Sequence, residues 1–99
     1  NINTDGSFND IVDRVSEFMK RFSGVPIALG GEHSISYAIA RNIKKACFVV
    51  FDAHFDLRDS LDGNPYSHAC TSRRIYELGH DLVLIGVRSC CEEELQFAE

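Results

Sequence analysis

Residues 47–51, Cys-Phe-Val-Val-Phe, form an unbroken apolar run that stops at Asp52-Ala53-His54-Phe55-Asp56. A strand with one wet face alternates apolar and polar residues; a strand that does not alternate must be covered on both faces. The runs at 25–29 (VPIAL) and 82–87 (LVLIGV) have the same character. Strands are therefore expected at 25–29, 46–53 and 82–87. The segments between them carry helical periodicity. In 8–22, Phe8, Ile11, Val12, Val15, Phe18, Met19 and Phe22 recur at helical spacing, and Gly24 and Pro26 punctuate the end. Segment 34–45 opens on Ser34, a suitable N-cap, and carries Ile35, Ala38, Ile39 and Ile43 on one side. Segment 68–78 reads as a helix closed by Gly79, and 91–99 as the beginning of another. Residues 57–67 are polar and turn-rich and read as a loop.

This alternation of helices with non-alternating strands predicts an α/β fold, a parallel sheet with helices on both faces. Ligands of such sheets bind at the carboxyl ends of the strands. Gly30-Gly31-Glu32-His33 and Asp52–Asp56 both stand at such ends. In an extended chain, residues i, i+2 and i+4 face one side. Asp52, His54 and Asp56 are thus expected to converge, with His33 completing the group. Carboxylates and imidazoles without thiolate suit manganese, and admit iron, cobalt or zinc. Two carboxylates and an imidazole on one face repel or protonate unless a cation holds them. Taken alone, His33 reads as a hydrogen-bonded surface residue; the second cluster reverses that. His68 opens a helix after a polar loop, and an exposed terminal histidine or a proton shuttle at the rim of the site both satisfy the residues. His80, in a helix-to-strand turn, reads as structural. Glu92, Glu93 and Glu94 suit the start of a helix through its dipole and need no catalytic role.

The formal charge of −5 and the lack of a basic cluster argue against a nucleic-acid partner. No apolar run approaches the roughly 20 residues of a membrane span, and no signal peptide is visible. The four cysteines lack C-x-x-C spacing and read as reduced structural thiols, which points to the cytoplasm. The chain does not open on Met, and three strands would leave unpaired edges. It is expected to be one part of a larger α/β domain.

Together, Gly30-Gly31-Glu32-His33-Ser34, Asp52-Ala53-His54-Phe55-Asp56 and Ser67-His68-Ala69-Cys70 resemble the ureohydrolase family of arginases and agmatinases. The resemblance extends over nearly all of the chain. Leu57-Arg58-Asp59 and Asn64-Pro65-Tyr66-Ser67-His68 are most similar to agmatinases of the prokaryotic type. It implies a three-layer α/β/α domain with a mostly parallel sheet, assembled as a homo-oligomer (trimer or hexamer). It implies two manganese ions bridged by hydroxide, with His33 and Asp56 on the first metal, His54 on the second and Asp52 bridging both. His68 would be the catalytic residue that relays protons while the hydroxide attacks the guanidinium carbon of a small guanidino substrate. The family's Asp-x-Asp motif, which supplies further ligands, is absent after residue 87, as is the later acidic residue that holds the guanidinium. Residues 1–99 are thus expected to form a partial domain, inactive alone. Asp59 and Asp62 suit a substrate with a cationic tail, so agmatine, hydrolysed to putrescine and urea, is the expected substrate. The alternatives are an arginase- or guanidinobutyrase-type amidinohydrolase, or a non-catalytic interaction module.

Overall fold

The computed structural model describes all 99 residues. Helix α1 spans Phe8–Arg21 and α2 spans Ile35–Ala40; strand β1 is Cys47–Phe51. A single 3-10 turn, His68–Cys70, leads into α3, Thr71–Glu77. Strand β2 is Asp81–Ile85 and helix α4 is Glu92–Ala98.

Helix α1 is fixed at its start by a reciprocal cap. The Ser7 N–H donates to Asp10 Oδ2 at 2.7 Å, and the Asp10 N–H donates to Ser7 Oγ at 3.3 Å. Its apolar stripe buries Val12 and Val15 against Ala38 of α2, with Ile2, Phe8, Ile11, Met19 and Ile39 packed around them. Helix α2 is shorter than its periodicity predicts. The Asn42 side chain donates to the Ala38 carbonyl at 2.8 Å and so takes an acceptor that the continuing helix would have used. Ser34 does not cap it, because the Ser34 N–H and hydroxyl both turn to the Glu32 carboxylate. Gly79, with φ +91°, ends α3 as expected: the left-handed position lets its N–H return to the Tyr76 carbonyl at 2.8 Å.

The sheet is parallel and two-stranded, with Cys47 opposite Asp81 and Phe51 opposite Ile85. The crossover runs through α3, which packs on α2 and β2. This bears out an α/β architecture with a parallel sheet. The expected third strand is absent. Residues 25–29 form no strand and no backbone pairing, and Val25, Ile27 and Leu29 are about nine-tenths exposed. An apolar run becomes a strand only where a neighbour accepts its backbone hydrogen bonds, and none lies beside it.

Along both strands, burial alternates although the sequence does not. Phe48, Val50, Leu82 and Leu84 are half-buried, while Val49, Phe51, Val83 and Ile85 are exposed. Of the implied three layers, these residues build the sheet and the helices on one side of it.

Buried His80 ties the amino ends of the sheet to α2. The Ala46 N–H donates to its Nδ1 at 3.3 Å, so the ring proton is on Nε2, which donates to the Ala40 carbonyl at 3.1 Å. The structural reading of His80 holds.

Candidate metal centre

The carboxyl end of β1 does not continue as a strand through Asp56. The Asp52 N–H still pairs with the Ile85 carbonyl at 3.1 Å, and the Ala53 carbonyl accepts from Arg88 and Ser89 at 2.9 and 3.0 Å. The backbone then turns, and Asp56 takes φ +53°. The expected alternation therefore fails at its third member. Asp56 reaches the site because the chain bends there. A non-glycine residue in this region costs about 1–3 kcal/mol and persists only where its surroundings hold it. Gly86, just past β2, takes φ +91°, a left-handed position that favours glycine.

His33 arrives from the turn before α2. A Cβ on Gly30 would come within 3.1 Å of Ile35, so glycine permits this close fold-back. The His33 Nδ1 lies 2.7 Å from Asp56 Oδ2. One donor atom from each of His33, Asp52 and Asp56 lies within 4.8 Å of the others. Metal–oxygen distances of roughly 2.0–2.6 Å place opposite ligands about 4–5 Å apart, so one divalent cation fits among these three.

His54 stands outside that triad but beside it. Its N–H donates to Asp52 Oδ1 at 2.8 Å and its Nδ1 is 3.0 Å from the same oxygen. Asp52 thus contacts His54 and also belongs to the cluster with His33 and Asp56. His68, largely exposed, has Nδ1 3.7 Å from Glu32 Oε1. One cavity of about 410 Å³ is lined by all five of the residues expected from sequence, together with Arg58 and Glu94.

The electrostatics follow from these contacts. The Asp56 carboxylate bonded to His33 raises the imidazole's pKa against the opposing effect of burial, with help from the charges of Asp56, Asp52 and Glu32. The His54 N–H holds the Asp52 carboxyl below the ordinary carboxylate range, against a small cost of burial.

The Arginase family model matches residues 1–99. The chain belongs to the arginase family. It is 47% identical over 91 residues to an N(1)-aminopropylagmatine ureohydrolase of Thermococcus kodakarensis, covering 87% of this chain and 32% of that protein. It is 50% identical over 74 residues to an agmatinase of Pyrococcus horikoshii, covering 75% and 26% of the two. A Clostridium difficile protein provisionally called an agmatinase superposes with a TM-score of 0.84 at 29% identity, over 99% of this chain and 38% of its own. The chain thus spans about a quarter to a third of the length of the curated relatives it matches.

Two features of this arginase-family site depart from the sequence reading. Asp59, expected near the substrate, instead accepts from Arg74 at 3.1 Å and faces Arg73 at 3.5 Å. Neither Asp59 nor Asp62 lines the cavity, whereas Arg58 does. Glu94, read as a helix-start residue alone, is buried and lines the cavity wall. Its Oε2 accepts the Cys91 N–H at 2.9 Å and its Oε1 accepts the Leu57 N–H at 3.0 Å. The spacing Cys91-x-x-Glu94 signals the first of these bonds; no sequence signal announces the second, which joins positions far apart in the chain.

Proposed function

We propose that these residues form part of the active site of a metal-dependent ureohydrolase that releases urea and putrescine from agmatine. The observation that supports this most is the arrival of His33, Asp52, His54, Asp56 and His68 at one cavity, from three separate segments of an arginase-family chain. In this reading His33, Asp52 and Asp56 hold one cation, and Asp52 with His54 offers ligands to a second. Two manganese ions bound there would act as Lewis acids and supply a hydroxide nucleophile at neutral pH. His68, exposed at the rim and bearing an imidazole that can accept and donate a proton, handles protons as the amine leaves. Remaining ligands and the group that holds the guanidinium come from outside residues 1–99, so these residues form a partial domain. The whole protein works in the cytoplasm as a homo-oligomer.

The preference for agmatine rests on the named relatives, since Asp59 and Asp62 do not line the cavity. Arg58 in the wall favours a second reading, a guanidino acid such as arginine or 4-guanidinobutyrate, whose carboxylate it would attract. Urea release from agmatine, N(1)-aminopropylagmatine, arginine and 4-guanidinobutyrate by the manganese-loaded whole protein decides between them. Faster turnover of a cationic-tailed substrate is expected. Preference for a guanidino acid would replace the first reading with the second, and no urea from any of the four would sink both.

A further inference from the structure

One peptide unit in the cavity wall is gripped from both sides. The carbonyl of Asp56 accepts the Arg73 N–H of α3 at 3.2 Å. The amide of the same peptide, on Leu57, donates to Glu94 Oε1 of α4 at 3.0 Å. Next along the chain, the Arg58 N–H donates to the Ala69 carbonyl at 3.1 Å. The peptide that follows a residue fixes its ψ, and the side chain's starting direction follows from φ and ψ together. At Asp56 φ is +53°, a conformation that the residue does not favour unaided. The clamp acts where the local preference is weakest.

Glu94 is suited to this task. It is only 5% exposed, and both of its oxygens accept backbone N–H groups. Burial alone would raise its carboxyl's pKa; the Cys91 and Leu57 amides, with the Arg58 charge, more than offset this and leave it below the ordinary value. An ionised carboxylate accepts both bonds at once, whereas an amide in its place has only one acceptor atom.

We propose that Glu94 is a positioning residue for the cation site, holding the Asp56–Leu57 peptide so that the Asp56 carboxylate meets His33 and Asp52. This rests on the metal-site reading above but assigns Glu94 a role without direct contact to the cation. Outer partners that orient metal ligands commonly change metal affinity by about 10–100-fold when removed.

The test is manganese titration by calorimetry into the metal-stripped whole protein, alongside metal-free melting and amide hydrogen exchange at Leu57. Glu94→Ala is expected to weaken manganese binding by about 10–100-fold and to speed exchange at Leu57. Glu94→Gln, which keeps one acceptor, should fall between Ala and wild type. His80→Leu removes a buried clamp at the opposite end of the strands; it should lower the melting temperature and leave manganese affinity unchanged. Affinity of folded Glu94→Ala within about twofold of wild type, far short of the usual outer-partner effect, would overturn the proposal. If Glu94→Ala does not fold, wild-type affinity in Glu94→Gln would overturn it equally. If wild type takes up no manganese, the metal-site reading falls instead. The clamp is then judged on metal-free Glu94→Gln: faster Leu57 exchange upholds it and unchanged exchange rejects it.

Discussion

At the scale of single residues, the site separates groups that would hold a cation from groups that serve it. His33→Ala and Asp56→Ala each remove one of three converging donors. Each is expected to abolish binding at that three-donor site, seen in calorimetry of the whole protein as the loss of one of two manganese ions, because affinity depends on ligand number. His68→Ala should leave bound manganese unchanged by elemental analysis yet lower turnover by about 10²-fold or more, the usual contribution of a proton-transfer group. Loss of manganese in that variant would move His68 into the metal shell. Glu94 also carries a pH prediction. Its folded pKa lies below the unfolded value, since its amide partners outweigh burial. Its contribution to stability is therefore complete above the unfolded carboxylate pKa of about 4.3, and is lost as pH falls through the lower folded value. Urea unfolding of Glu94→Gln across the acid range should show a shallower fall in stability below about pH 4.3 than wild type. Parallel curves would show that Glu94 gains nothing from ionisation on folding.

At the scale of elements, ends matter more than lengths. Helix α1 has a two-way cap between Ser7 and Asp10. Ser7→Ala should cost about 1 kcal/mol in chemical denaturation, the usual loss for an N-cap serine. At the other end of the fold, His80→Leu leaves the Ala46 N–H without its partner, while the Ala40 carbonyl keeps the Ile43 N–H at 3.1 Å. Unsatisfied buried groups cost about 1–3 kcal/mol each. A loss of about 1 kcal/mol or more is expected from the Ala46 N–H alone, and a neutral result would show that water reaches it. The loop 57–67 is held by charges as well as by Glu94. The Asp59 N–H donates to Glu93 at 2.8 Å, while its carboxylate meets Arg73 and Arg74. The rings of Tyr66, Phe8 and Tyr37 stack within 5.1–6.2 Å and tie the stretch before His68 to α1 and α2. A loop read from its composition as merely polar is in fact anchored along its length.

For the whole molecule, the imbalance is in the core. Only 12 of 99 residues are buried, which leaves one sheet face, bearing Val49, Phe51, Val83 and Ile85, open to solvent. Exposed apolar strands invite association. The isolated 99-residue chain is expected to self-associate in light scattering, and Phe51→Lys with Ile85→Lys should reduce that association. It should bind at most one manganese ion, at the three-donor cluster, and release no urea from agmatine. Two-site binding with urea release would show that the further ligands are dispensable.

The sequence by itself determined the helices, the two paired strands, the parallel α/β arrangement and five of the residues that line the cavity. Their signals are written along the chain: periodicity marks a helix, an unbroken apolar run marks a candidate strand, and strand ends in such a sheet collect ligands. Tertiary structure decided the rest. Whether 25–29 pairs depends on a neighbour, which the run itself does not encode. Asp56 joins His33 through a left-handed turn rather than through strand alternation, and that turn is stable because Arg73 and Glu94 grip the adjoining peptide. Asp59 went to two arginines of α3 instead of to the cavity. Hydrogen bonds between distant positions depend on which backbone groups the fold leaves without partners, and that is settled only when the elements meet.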